Sequence, residues 1–197
     1  MIAPIGEVAE FPARVETRLK RVSNWSGGIV EQPVRTPVWL DPVADGGTPM
    51  CQAFAMARDV VKRWLEDHPR GFPPTILHLT DGESSDGNPI ALGQELMSLS
   101  TDDGQALVFN CHVSVRSDQK IEYPASASEL PDEFARTLFE VSSRLPESFL
   151  NAAHQLGVSA HRESRGFVFN ADPSSVVQFY EIGTSLTGMA PHLWMDA

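Results

Sequence analysis

The stretch Thr75-Ile76-Leu77-His78-Leu79-Thr80 constrains the fold most. It is a short, almost continuous apolar run, the pattern of a strand covered on both faces. Such a strand needs a layer above it and a layer below, and the flanking sequence supplies both. Upstream, Ala53, Phe54, Ala57, Val60, Val61, Trp64 and Leu65 recur at helical spacing. They predict an amphipathic helix that ends near His68-Pro69, with Thr48 as N-cap and Pro49 in its first turn. Downstream, the pattern predicts a helix over Ile90–Leu99 and a second buried strand over Ala106–Val115. Helices over Asp132–Leu145 and Pro146–Leu156, a strand over Gly166–Asn170 and a closing helix over Pro173–Ser185 follow. Strands alternating with helices define an α/β chain, a doubly wound parallel sheet wrapped by helices.

The first fifty residues read differently. Gly6–Val22 suits one or two short helical turns broken at Pro12, and Asn24–Gly28 is a turn cluster. Ile29–Leu40 is apolar and β-branched, but Pro33 and Pro37 deny it a sheet interior, so it is expected as an extended crossing segment. The expected organisation is an irregular segment over 1–42 belonging to the same domain, an α/β domain over 43–190 and a tail over 191–197.

With 197 residues, 42% of them apolar and 21% charged, the chain fits one soluble domain with a true core. No run of 18 apolar residues is present, and Met1–Gly6 carries no signal-peptide pattern, so a cytoplasmic location is expected. The formal charge of −11 disfavours nucleic acid and anionic membrane surfaces as partners, because their phosphates would be repelled. Cys51 and Cys111 form no CxxC or zinc-type cluster and are expected as thiols.

In a parallel sheet, ligands bind beyond the carboxyl ends of the strands. The run Thr75–Thr80 ends in Asp81-Gly82-Glu83-Ser84-Ser85-Asp86-Gly87, a carboxylate at the strand tip followed by turn residues. That suits an oxygen-ligand metal site, and it suits equally an Asp that caps a turn. It is not an EF-hand loop: counting from Asp81, the glycine falls at position seven, and position twelve is Leu92. A second loop, Asp45-Gly46-Gly47-Thr48-Pro49, precedes the helix that should lie beside this strand. Its glycines permit close backbone approach, and the Thr48 hydroxyl stands at the helix start.

Gly-Gly-Thr-Pro, an amphipathic helix, then an apolar strand ending Thr-Asp-Gly resembles the second half of a von Willebrand factor type A (VWA) domain. The resemblance runs from about Val43 onward and includes the later strands and helices. It implies a metal ion-dependent adhesion site in which Thr48 and Asp81 are two of three elements, with Asp45, Gly47, Glu83, Ser84 and Ser85 as its rim. It implies Mg²⁺, with Ca²⁺ or Mn²⁺ as alternatives, whose open position accepts an acidic side chain from a protein partner. Thr and Asp oxygens suit such hard cations. The family's first element, Asp-x-Ser-x-Ser, is absent. Asp172-Pro173-Ser174-Ser175-Val176 comes nearest but lacks the second serine and lies at the wrong end. Three strands, a helix and their connections need about 50 residues or more, and only 47 proline-rich residues precede Thr48. The sheet is therefore expected to lack its first strands and to expose the outer edge of Thr75–Thr80. Metal binding is expected to be weak, and the chain to self-associate or to take the missing strands from another chain.

Two readings of other classes stand beside this one. The first is a metal-independent scaffold or assembly fragment. The second is an α/β hydrolase or phosphatase-like enzyme using Asp81, for which no phosphate clamp is found: no Lys or Arg lies between Arg70 and Arg116. His78 and His112 fall on strands expected to be adjacent and read as satisfied core histidines. Cys111 and His112 are neighbours on one strand and so face opposite ways. Asn24-Trp25-Ser26 matches a glycosylation sequon, idle in the cytosol.

Overall fold

A computed structural model describes residues 5–23, 28–41, 43, 46–113 and 119–185. They divide into two units, Met1–Gly46 and Gly47–Ala197. The sequon at Asn24 and the rim candidate Asp45 lie outside the described residues.

The first unit holds α1 (Ile5–Glu10) and two strands, β1 (Arg14–Ser23) and β2 (Ile29–Val38). The strands form an antiparallel ribbon in unbroken register, from Arg14 opposite Val38 to Ser23 opposite Ile29. This corrects two expectations. Helix stops at Glu10, and Ile29–Leu40 pairs instead of crossing alone. The physical reason is that a two-stranded ribbon has no interior. Pro33 and Pro37 stand four apart, on one face and one edge, and a nitrogen turned outward needs no hydrogen to give. Val15, Thr17 and Leu19 alternate with Glu16, Arg18 and Lys20, a period of two that the helical reading overlooked. Trp39 Nε1 donates to the Val8 carbonyl at 2.6 Å, and the Arg14 guanidinium bonds Asp41 and Glu16.

The second unit is a mixed α/β structure with helices on both faces of a mostly parallel sheet. Its elements are α2 (Met50–Asp67), β3 (Thr75–Thr80), α3 (Ile90–Ser98), β4 (Ser100–Thr101), β5 (Gly104–Gln105) and β6 (Leu107–His112). β7 (Ile121–Glu122), α4 (Glu133–Glu140), α5 (Glu147–Gln155), β8 (Phe167–Phe169) and α6 (Pro173–Gly183) complete it. The sheet order is β3-β6-β8-β7. β3, β6 and β8 run parallel, and β7 is antiparallel to β8. β4 and β5 form a separate minimal hairpin. No helix of the described residues is long and apolar enough to cross a membrane.

β6 is the spine, buried at all six positions. Its residues alternate between two cores. Val108 joins Phe54, Leu96, Leu138 and Phe167 on one face. Leu107, Phe109 and Cys111 join Phe149, Val168, Phe179 and Ile182 on the other. The approach at β8 is close enough to require a glycine: a Cβ on Gly166 would lie 2.1 Å from the Phe109 ring.

One polar residue ties the layers together. Asn110 is fully buried, and its Oδ1 pairs with His78 Nδ1 of β3 at 2.8 Å. Its Nδ2 donates to Ser142 Oγ at 2.8 Å and to the Val141 carbonyl at 3.1 Å. Arg165 donates to the Ser142 carbonyl at 2.8 Å and lies 4.7 Å over the Phe139 ring. With these side chains holding its last carbonyls, α4 ends at Glu140 and not at Leu145 as its periodicity suggested.

Candidate functional site at the carboxyl edge of the sheet

The carboxyl tips of β3, β6 and β8 lie along one edge. Thr80 is opposite His112, and the amides of Val113 and Ala171 donate to the carbonyls of Thr80 and His112, both at 2.8 Å. Two loops meet there. The Ser85 amide donates to the Thr48 carbonyl at 2.9 Å. Asp86 reaches to the start of α2, where its two carboxylate oxygens accept the amides of Cys51 and Gln52, each at 2.9 Å. The Ser84 hydroxyl donates to the same carboxylate at 3.0 Å. Removal from water opposes ionisation of Asp86, but these donors outweigh it and hold the carboxyl below its ordinary range.

The start of α2 is thus closed by a residue 35 positions downstream. Thr48 was expected as the N-cap; the structure places Pro49 at that position, with no side-chain cap, and uses Asp86 for the capping bonds. Thr48 is left with its carbonyl fastening the loop and its hydroxyl beside Gly82, 3.2 Å from where a Cβ on that residue would stand. A Cβ on Gly47 would lie 2.5 Å from the Ser85 hydroxyl, so that glycine is needed for the loops to meet. The structure therefore brings Gly47, Thr48, Gly82, Ser84 and Ser85 together, next to Asp81 and Glu83. The carboxylates of Asp81 and Glu83 and the Thr48 hydroxyl make no hydrogen bond to another described side chain.

Beside the loops lies a cleft of about 450 Å³, lined by Met50, Glu83, Ser84, Asn88, Asp132, Glu133 and Phe134 among others. Asp132 caps α4, accepting the Ala135 amide at 2.7 Å. His112 is buried behind Phe134, edge-on to its ring at 5.2 Å and stacked on Phe169 at 4.6 Å. Its Nδ1 has no hydrogen-bond partner among the described residues. Burial lowers the imidazole pKa, against the opposing pull of the Asp132 and Asp81 carboxylates. Both carboxylates therefore act on the same ring. Cys111, next in sequence, faces the other core, and burial followed by the nearby Glu122 charge pushes its thiol up to about 12. It is an inert core thiol.

Asp172, at the motif nearest to Asp-x-Ser-x-Ser, is the N-cap of α6: it accepts the Ser175 amide at 2.8 Å and the Ser174 hydroxyl at 2.9 Å. These bonds, with Lys120 beside it, hold its carboxyl far below the usual range. Asp-x-Ser spacing is what an N-cap needs, which explains the partial likeness. Sequence reading missed the capping role of Asp86, and Asp132 and Phe134 as cleft residues. The Asp132 cap was signalled by an Asp just before an apolar periodic run; nothing local signals the Asp86 contact.

Whether the edge fits a divalent cation turns on its oxygen donors. Asp81, Glu83 and the Thr48 hydroxyl supply hard oxygens that no other described side chain engages, whereas Asp86 and Ser84 are engaged in the cap. Among the described residues, no group of three or more His, Cys, Asp and Glu side chains is placed to hold a metal ion. The set suits a cation that keeps most of its water shell, as Mg²⁺ does. No protein-family model, curated protein or solved structure matches the chain.

Proposed function

We propose that the second unit is a VWA-like, Rossmann-type protein-binding module and not an enzyme, with a weak divalent-cation site formed by Thr48 and Asp81. The observation that carries the reading is the fastening of the 47–49 loop to the 81–87 loop at the carboxyl edge of a parallel sheet, through Thr48, Ser85 and Asp86. This is where such sheets bind ligands. A bound Mg²⁺ would supply a positive charge to which a partner's carboxylate could bind. The chain's own residues do the rest. Asp81 and the Thr48 hydroxyl would hold the ion, Glu83 adds negative potential, and Ser84 and Ser85 form the rim. Asp86 fixes the loop so that these groups are oriented before any partner arrives, which lowers the cost of binding.

The test uses Mn²⁺ as a paramagnetic stand-in. In amide spectra of the full chain, millimolar Mn²⁺ should broaden Thr48 and Asp81–Ser85 first, and Asp81→Ala should abolish that selectivity. Uniform broadening over the acidic surface would sink the metal reading. One observation favours a second reading, a metal-independent scaffold: the best-oriented carboxylate at the edge, Asp86, is spent on capping α2. Partner capture that persists in EDTA and in Asp81→Ala would select it.

A further inference from the structure

We infer that the outer edge of β3 is a pairing surface for a second copy of this chain, joining two sheets across a two-fold axis. β3 is the terminal strand of its sheet, and among the described residues no strand pairs with its outer edge. Natural edge strands are blunted by charge, proline or bulges. Thr75-Ile76-Leu77-His78-Leu79-Thr80 has neither charge nor proline, and Leu79 is 42% exposed.

The helices above and below repeat the pattern. Phe54 of α2 sits edge-on to the His78 ring at 5.0 Å, so α2 covers β3. One flank of α2 carries Arg58 and Lys62, both bonded to Glu95 of α3. At 100° per residue, the opposite flank, over the open side of β3, carries Ala53, Met56, Val60 and Trp64, and ends in Asp67 at the last residue of the helix. Met56 is 64% exposed and Val60 38%. On the other face, α6 meets β3 where Gly183 faces Leu77. Gln178 points towards α5, bonding the Leu156 carbonyl. The flank turned away from α5 presents Tyr180, 41% exposed, with Val177 next to it at 57%. An unpaired strand edge therefore lies between two largely apolar helix flanks, the α2 flank carrying charge at its C-terminal end, where Asp67 lies. That is the anatomy of a core cut open, as obligate interfaces are.

The occupant follows from symmetry and charge. An antiparallel strand can be added to this edge without a crossover connection. With a two-fold axis through His78, perpendicular to the sheet, Leu77 faces Leu79 of the copy and Ile76 faces its Thr80. Each residue meets one on the same face, as pairing requires. The same axis sets α2 beside α2 and α6 beside α6, so the Met56–Val60 flank meets its own image, an isologous contact. A chain of net charge −11 repels its copies over most of its surface. Along Ile76–Thr80, and between Met56 and Val60 on α2, the residues on this face carry no like charges to oppose the contact.

Sedimentation velocity of the full chain, loaded from about 1 to 100 μM, tests this. The expected result is a dimer whose dissociation constant rises at least about tenfold in both Val60→Lys and Leu79→Lys. Both positions are part-exposed in the protomer, and circular dichroism would verify the fold; if Leu79→Lys unfolds, Val60→Lys carries the test. Leu19→Lys on the β1–β2 ribbon should leave the dimer intact. A monomer at the highest concentration would overturn the inference. So would a dimer dissolved by Leu19→Lys and untouched by Val60→Lys, or a chain that takes up a foreign strand but never its own copy. The Mn²⁺ experiment reads a different edge of the sheet, so each proposal fails separately.

Discussion

The β1–β2 ribbon and the four-stranded sheet treat their free edges in opposite ways. The ribbon is exposed along almost its whole length, and its strands carry Arg14, Arg18, Lys20, Arg21 and Arg35, with prolines at two positions of one edge. The sheet buries β6 completely and ends in β3, which has no such guard. Unwanted pairing is resisted in the first region by charge and missing donors, and in the second by nothing in the strand itself. The stability of the two regions should differ in the same direction, because a two-stranded ribbon is marginal alone and a covered sheet is not.

The largest expected effect is in the spine. Phe109→Ala removes a fully buried ring that touches Phe149 edge-on at 5.3 Å. It should cost about 3–5 kcal/mol in urea unfolding; a smaller loss than in a ribbon variant would break the comparison. Asn110→Ala comes next, at about 2–3 kcal/mol, because it strands the Val141 carbonyl in the interior, takes the partner from the part-buried His78 ring and leaves the Ser142 hydroxyl only its bond to Leu138. Asp86→Ala uncaps α2 from outside and should lower the melting temperature by ~2–4 °C, with faster hydrogen exchange at Cys51 and Gln52. Acid supplies a graded effect. Burial holds both His78 and His112 below their ordinary value of 6.5. The unfolded chain therefore binds their protons first, so stability is complete above that pH and falls as pH drops below it. Melting temperatures from about pH 7.5 to 5.5 would show this, and His112→Gln should flatten the slope. Smallest of all, Leu19→Ala on the exposed ribbon should shift the sheet's unfolding by less than about 0.5 kcal/mol.

The sheet was legible in the sequence where one period dominated. The apolar run Thr75–Thr80 became β3 with the bounds expected of it, and Ile90, Glu147 and Pro173 open helices close to where the pattern placed them. Legibility failed where a distant residue decided the outcome. Nothing around Leu138–Leu145 announces that Asn110 and Arg165 will take the carbonyls there and end α4 early. Nothing around Thr48 announces that a carboxylate from beyond β3 will do its capping. The ribbon was missed for another reason: proline is a sound argument against a sheet interior and no argument against an edge. At the candidate site, sequence reading chose the loops that meet. It could not divide their oxygens between those spent on the fold and those left for a ligand.

The capping of α2 by Asp86 has a consequence for the order of synthesis. A chain made from its N-terminus releases Met50–Asp67 from the exit tunnel before residue 86 emerges. Until then the first turn of α2 has open amides and no side chain to close them. Its amphipathic face also waits for β3 to lie against it. The helix and the candidate binding loop are thus completed in one event, when the strand arrives and Asp86 closes on Cys51 and Gln52. A ribosome stalled so that α2 has emerged while Asp86 is still inside the exit tunnel should display a segment that proteases cut at its N-terminal turn. One stalled far enough beyond Asp86 for the loop to clear the exit tunnel should display a segment they spare.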